Sequence, residues 1–342
     1  MTEFFSAAAK RTVVITGGNQ GVGFACAAAL ADSRQNCCII IAGHNRERIA
    51  AAAAKLRQQS SARVEPMLLN LASLRSIHYF SENLAGEVRL GNLPPLHAVV
   101  CNAAVLNPFG IIHTADGYEQ TFGVNHLGHF MLVNALLPQM LEPGRIVVVA
   151  GGSGRLGRRV DQVILPSLPK ARHLACPDQP GGLRLSGLAR YRYSKYCNLL
   201  FAHELHRRLE VARQTGGPGI GVNVFHPLPT PGTQLARQWP GWLQWLWRSQ
   251  FLRTFGRTFG ANIMTVEESG CSLAGLVLDP TLQGVSGRCF HGGRERHSME
   301  IPGDPAVSRK LWEDCAELLR WQPAGEAPRT ASPASLLTLQ KL

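Results

Sequence analysis

The most constraining stretch lies near the start of the chain. Thr12-Val13-Val14-Ile15-Thr16 is a short β-branched run. Gly17-Gly18-Asn19-Gln20-Gly21-Val22-Gly23 follows at once, and residues 22–31 then form an Ala-rich, helix-favouring segment. β-Branched residues suit a strand and alanine suits a helix, while glycine lets the backbone turn directly from one into the other. Strand, glycine turn and helix make up the opening unit of a parallel sheet, whose neighbouring strands need a crossover helix between them. In that setting, glycines at 17, 21 and 23 bring backbone N–H groups and a helix N-terminus close to a pyrophosphate.

The alternation continues. Further strands are expected at Cys37–Ala42, Val64–Leu69, His97–Cys101, Arg145–Ala150 and Gly219–Phe225, with a short edge strand at Gly287–Phe290. Helices are expected at 47–58, at 74–85 behind the N-cap Ser73, and at 305–319 with Leu311, Trp312, Cys315 and Leu318 as the apolar stripe. The pattern predicts an α/β fold, a doubly wound parallel sheet of Rossmann-like form. It forms a single domain over residues 11–322, after an N-terminal extension at 1–10 and before a Pro/Ala/Ser-rich tail at 323–342 expected to be disordered. A hydrophobic fraction of 45% is enough for such a core. Ligands of these sheets sit at the carboxyl ends of the strands, where the motifs of this chain fall.

Tyr191 and Lys195 stand four apart, and the apolar spacing of Leu199, Leu200, Ala202, Leu205 and Leu209 is helical. One turn apart on one face, the ammonium is expected to lower the phenol pKa, which suits a hydroxyl that gives a carbonyl its proton. After the second strand, His44 and Arg46 stand where an acidic residue would bind a ribose 2′-hydroxyl, and no acid comes until Glu47. A 2′-phosphate is therefore favoured, which selects NADP over NAD.

Other classes are disfavoured. The net charge of +12 is scattered, with no basic run or nucleic-acid module. The nine cysteines include no Cys-x-x-Cys, so a reducing compartment is expected. His126 and His129 are three apart but lack a third ligand, so no metal site is expected. Gly151-Gly152-Ser153-Gly154 is followed by Arg155, which breaks the nucleophile-elbow pattern of a serine hydrolase. No stretch reaches the ~20 apolar residues of a membrane span, and the first residues do not read as a signal peptide, so a cytoplasmic protein is expected.

Taken together, these residues resemble the short-chain dehydrogenase/reductase family. The resemblance covers about residues 11 to 320 and rests on Thr16-Gly17-Gly18-Asn19-Gln20-Gly21-Val22-Gly23, Cys101-Asn102-Ala103-Ala104 and Tyr191-x-x-x-Lys195. Asn70-Leu71-Ala72-Ser73-Leu74, Thr114-Ala115-Asp116-Gly117-Tyr118-Glu119 and 122–130 are similar to its retinol-dehydrogenase and protochlorophyllide-reductase branch. The resemblance implies an NADP-dependent oxidoreductase acting on a small hydrophobic carbonyl or alcohol, as a monomer or homodimer. It implies Tyr191 as general acid/base, Lys195 as its partner and holder of the nicotinamide ribose, and Asn125 as anchor of a relay water. The implied cofactor contacts are Gly17, Asn19, Gln20, Gly21, Val22, Gly23, His44, Arg46, Asn70, Leu71, Asn102, Ala103, Ala104, Pro227, Thr230 and Thr233, with Tyr191 and Lys195. Asn70 replaces an Asp, with little expected loss.

Two departures stand out. Gly151 occupies the position of the usual carbonyl-binding serine, and one such donor is worth on the order of 10²–10³ in rate. Either Ser153 takes the role, or catalysis runs slowly on Tyr191 and Lys195, or the chain is a cofactor-binding regulator without turnover. His226-Pro227-Leu228-Pro229-Thr230-Pro231-Gly232-Thr233 replaces the family's His-Pro-Gly and threonine, so Leu228 restricts the turn. Two inserts complete the reading. Residues 155–190 are expected to form a functional loop or a mobile segment; the protochlorophyllide reductases also carry extra chain here, as a bulky substrate would need, and a light-dependent protochlorophyllide-type reductase is the alternative enzyme. Residues 235–260, with four Trp, three Phe, four Arg and no acid, are expected to form a helical substrate lid, a peripheral membrane contact or a partner surface.

Overall fold

The computed structural model describes residues 10–33, 36–151, 168–217, 219–227, 230, 241, 264–292, 294–300 (backbone) and 304–320. The strands are β1 Arg11–Thr16, β2 Cys37–Gly43, β3 Arg63–Leu68, β4 Leu96–Cys101, β5 Met140–Val149, β6 Ile220–His226, β7 Arg288–His291 and β8 Arg294–Glu300. They form one sheet in the order β3-β2-β1-β4-β5-β6-β7-β8. All neighbours are parallel except β8, which runs antiparallel to β7 as an edge strand absent from the sequence expectation. The expected doubly wound parallel sheet is thus present, extended by one hairpin.

Alternation along the strands splits the core into two layers. Val14, Ile40, Val99, Ile146 and Val148 face one side; Val13, Ile15, Ile39, Ile41, Val100 and Val147 face the other. On the second side pack α1 Gly21–Asp32, α2 Arg46–Gln59 and, later in the chain, residues Val266–Leu278. On the first side lies α3 Leu74–Arg89, capped by Ser73 as expected, with Oγ accepting from Ser76 N at 3.3 Å. It is joined by α4, a helix built of Gln120–Phe122, a π turn Gly123–Leu127 and Gly128–Leu136. After the short α5 Ala171–Ala175 comes α6 Gly187–Gln214, which carries Tyr191 and Lys195 and buries Leu199, Leu200, Ala202, Leu205 and Leu209.

The Val266–Leu278 helix, α7, escaped the sequence reading although its start is signalled. Thr265 and Glu268 form a capping box, a pattern readable as Thr-x-x-Glu before an apolar run. The last described helix, α8 Pro305–Arg320, packs on α6: its Trp312 stacks on Phe201 at 5.8 Å between ring centroids. The described part of the expected loop insert contains α5, followed by a turn closed by Leu183 N to His173 O at 3.1 Å. Residues 152–167, which include the start of that insert, most of the 235–260 segment and the 323–342 tail lie outside the described residues. No disulfide joins any of the nine cysteines, and no helix among the described residues is long and apolar enough to cross a membrane.

Candidate active site

The order β3-β2-β1-β4-β5 reverses the chain's winding between β1 and β4, so a crevice opens at the carboxyl ends of those two strands. Thr16 closes β1 there. Its Oγ1 accepts from the N–H groups of Asn102 at 2.9 Å and Ala103 at 3.0 Å, and the Asn102 side-chain amide donates back to Thr16 O at 2.9 Å. The Cys101-Asn102-Ala103 stretch is thereby fixed against the glycine turn. Gly17 and Gly21 hold φ of +66° and +55°, which L side chains rarely adopt. A Cβ at Gly23 would collide with the Gly17 carbonyl, whereas one at Gly21 would meet nothing within 4 Å. Gly23 is a packing requirement, and the space is in front of Gly21.

That space lies before the N-terminus of α1. Gln20, its N-cap, provides no side-chain hydrogen bond, and the first turn carries no acidic residue. Orphan N–H groups with room in front of them suit a diphosphate, so the residues present fit a dinucleotide. Asn19 approaches Gly43 at the end of β2, where His44 and Arg46 are both exposed, and Asn45 caps α2 by accepting from Arg48 N at 2.8 Å. At the end of β3, Asn70 Oδ1 accepts from Ala72 N at 3.0 Å within its own turn, and Leu71 is buried beside it.

On α6, Lys195 is 4% exposed and its Nζ donates to Val149 O at 2.9 Å, placing the ammonium at the end of β5. The same nitrogen lies 5.9 Å from the Tyr191 ring centroid. The pair is therefore adjacent, as its spacing implied. The electrostatic expectation needs correcting. Burial pushes the Tyr191 phenol up to about 12 and Lys195 down to about 8, because charged forms of both lose hydration. Desolvation sets the direction for Tyr191, with no lowering by Lys195, and near neutral pH the phenol keeps its proton.

Asn125 sits fully buried in the π turn of α4. Its side chain is spanned on both sides: Oδ1 accepts from Val105 N at 2.7 Å, and Nδ2 donates to Val105 O at 2.9 Å and to Ser194 Oγ at 3.0 Å. Ser194 in turn donates to Tyr191 O at 2.8 Å. Asn125 thus fastens the segment after β4 to the turn of α6 that bears Tyr191; π turns of this kind recur at functional sites. His126 and His129 do not converge. His126 lies against Asn198 and Cys315, at 3.1 and 3.3 Å, while His129 lies against Thr16 and the Asn125 carbonyl.

Sequence reading missed one buried ion pair. Arg190 Nε lies 3.0 Å from Glu119 Oε1, and Arg190 also donates to the carbonyls of Leu185, Asn107 and Gly110. Glu119 Oε2 accepts from Phe122 N at 2.8 Å, starting α4. The residue before Tyr191 thereby ties α6 to α4 and to the loop after Val105. No local signal announces partners 71 positions apart. Among the remaining expected contacts, Ala104 is exposed, Pro227 half-buried and Thr230 buried. Ser153, Leu228 and Thr233 lie outside the described residues. Gly151 is described: a Cβ there would meet Lys195 Cγ at 3.7 Å, an ordinary contact.

Fold and site together define a doubly wound α/β oxidoreductase with a tyrosine–lysine pair at the carboxyl ends of its strands. Comparison with known proteins narrows the class. The short chain dehydrogenase family model matches residues 11–162. The WW domain-containing oxidoreductase of Danio rerio is 33% identical over 306 residues, covering 89% of this chain and 67% of that protein. Retinol dehydrogenase 14 of Mus musculus is 33% identical over 317 residues, covering 89% and 84%. Protochlorophyllide reductase A, chloroplastic, of Oryza sativa subsp. japonica is 33% identical over 325 residues, covering 88% and 78%. The chain belongs to the short-chain dehydrogenase/reductase family. It spans about two thirds of the length of the WW domain-containing oxidoreductases, 66% for the human protein. Among solved structures, an uncharacterized Mycobacterium Paratuberculosis protein superposes with a TM-score of 0.61 at 24% identity, over 92% of this chain and 95% of that one. A blue fluorescent protein in complex with NADPH gives 0.55 at 21%, over 83% and 98%. At these identities the likeness shows the fold.

Proposed function

We propose that this chain is an NADP-dependent reductase that delivers hydride and a proton to a small hydrophobic carbonyl. The observation that carries the reading is the Tyr191–Lys195 pair, a half-buried phenol and a buried ammonium held one helical turn apart beside the crevice at the ends of β1, β4 and β5. The relatives named retinol dehydrogenase and protochlorophyllide reductase, and the neighbour solved with NADPH, support the cofactor and the hydrophobic substrate class.

The glycine turn and the first N–H groups of α1 would hold the diphosphate. Arg46 and His44 would face the adenosine ribose and its 2′-phosphate, and Asn70 and Leu71 the adenine. Asn102, Ala103, Ala104, Lys195, Pro227, Thr230 and Thr233 would border the nicotinamide ribose and ring. A bound nicotinamide supplies the hydride. Tyr191, protonated at neutral pH with its pKa at about 12, donates from its hydroxyl to the substrate oxygen. As the proton leaves, the Lys195 ammonium opposes the cost of the buried phenolate, and the Val149 carbonyl holds that ammonium in place. Asn125 fixes the ring's turn of α6 through Ser194. Ser153 would supply the carbonyl-binding hydroxyl that Gly151 lacks.

The test is NADPH oxidation against a panel of hydrophobic aldehydes and ketones, in darkness and in light. Turnover is expected in darkness and to fall by about 10²–10⁴ in Tyr191→Phe; an unchanged rate removes the acid/base assignment. Turnover only in light with a pigment would assign the chain to the photochemical reading. Gly151 supports a second reading, a cofactor-binding regulator, and this predicts NADPH binding with no turnover of any carbonyl.

A further inference from the structure

A groove of about 960 Å³ opens along the outer edge of β3, between α2 and α3. Its floor is apolar, with Met67, Leu68 and Phe80, and two guanidiniums line it: Arg46 from the first turn of α2 and Arg75 from the first turn of α3. No acidic residue lines it. Glu65, the acid next along β3, is engaged by Arg57 at 2.8 Å and Arg63 at 3.2 Å. Among the described residues neither Arg46 nor Arg75 forms an ion pair. Arg75 is also restrained, with its guanidinium carbon 5.3 Å from the Tyr79 ring centroid and Nη2 donating to Tyr79 Oη at 3.3 Å. The groove reaches the adenine end of the crevice through Ser76, whose Oγ accepts from Asn70 N at 3.0 Å.

Two guanidiniums on separate helices, with no carboxylate between them, form a site for a compact dianion. A phosphate monoester offers several acceptor oxygens, and arginine pairs with such groups bidentately. The helix ends add little, since Leu74 N of α3 already donates to Asp116 Oδ2 at 2.8 Å and α2 carries Glu47 in its first turn, so the guanidiniums themselves hold the anion. We propose that Arg75 is a second specificity determinant for the cofactor: with Arg46 it grips the 2′-phosphate of NADP from the opposite wall. This rests on the NADP reading above and extends it to a residue outside the β2–α2 turn. The stacking on Tyr79 keeps the guanidinium oriented, so less side-chain freedom is lost on binding.

The experiment is titration of NADPH and NADH by fluorescence, with 2′,5′-ADP as competitor, and needs no turnover. Wild type is expected to bind NADPH more tightly than NADH. Arg75→Gln is expected to weaken NADPH and 2′,5′-ADP by about tenfold or more, the scale of one charged hydrogen bond, and to leave NADH within about twofold on the same ground. Arg75→Lys is expected to fall between, because it keeps the charge and loses the fork. Wild type that prefers NADPH, with Arg75→Gln indistinguishable from it, would overturn the role of Arg75 while leaving the NADP reading intact. Wild type that binds NADH as tightly as NADPH would overturn both. Arg75 is exposed on α3, so its variants are expected to fold.

Discussion

Nε2 of His129 lies 2.9 Å from Oγ1 of Thr16, joining α4 to the glycine turn of the dinucleotide site. The proton positions follow from the partners. Nδ1 of His129 faces the Asn125 carbonyl at 3.0 Å, and a carbonyl only accepts, so Nδ1 carries the hydrogen. Nε2 is then an acceptor, and the Thr16 hydroxyl donates to it in preference to Val100 O at 3.2 Å. With two backbone N–H groups bonded to its oxygen, the Thr16 hydroxyl is fully used. A neutral imidazole therefore couples the turn that bears Asn125 to the strand end that precedes Gly17.

Removing that ring takes a donor from the Asn125 carbonyl and leaves the Thr16 hydroxyl only the longer bond to Val100 O at 3.2 Å. His129→Leu is expected to cost about 2–3 kcal/mol in urea denaturation and to raise the KM for the cofactor. His129→Gln, which can still donate and accept, is expected to recover part of both. A leucine variant as stable as wild type would show that the bridge carries no weight.

Acid should unfold this protein early. Desolvation lowers His97, His126 and His129 to about 4 and His226 to about 3. Between those values and the ordinary 6.5, the unfolded chain binds protons that the folded chain refuses, so stability falls as pH drops through that window. Denaturant midpoints measured from pH 7 to pH 4 are expected to decline steeply; a flat profile would contradict the burial of these four rings as neutral imidazoles.

Lys195 ties activity and stability to pH in opposite senses. With its pKa at about 8, the ammonium that supports the phenolate is lost above that pH, and the rate of carbonyl reduction is expected to fall there. Folding stability should rise over the same interval, from about 8 to the ordinary 10.5, because the unfolded lysine still holds its proton. Lys195→Met is expected to abolish turnover while raising Tm. Relief of the buried charge is worth ~3 kcal/mol at neutral pH, offset in part by the lost bond to Val149 O. A lowered Tm would mean the ammonium stabilises the fold.

The missing serine can be restored. Ser153→Ala is expected to lower kcat by about 10²-fold. Adding Gly151→Ser to that variant should recover much of the loss, since a Cβ at 151 fits against the Lys195 stem without collision. Steady-state kinetics of the single and double variants decide the matter. Ser153→Ala with wild-type kcat would show that Ser153 is not the donor.

Much of this was readable along the chain. The seven parallel strands lie close to the runs where strands were expected, and Ser73 caps α3 as its position announced. The capping box at Thr265 and Glu268 was readable and passed over. The β7–β8 hairpin was not, because residues 294–300 carry charges throughout and lack an alternating apolar face. Nor was the Arg190–Glu119 pair, whose members meet only once α6 and the start of α4 are packed together.

The sequence by itself determined which residues are neighbours through local geometry: the glycine turn between strand and helix, and a phenol and an amine one turn apart. Those relations depend on periods of 2 and 3.6 residues, which composition writes directly into the chain. Only the tertiary structure decided the ionisation of those groups and of the histidines. Desolvation is set by what other elements pack around a side chain, and a helix that places Lys195 beside Tyr191 does not reveal how far the rest of the fold then desolvates both.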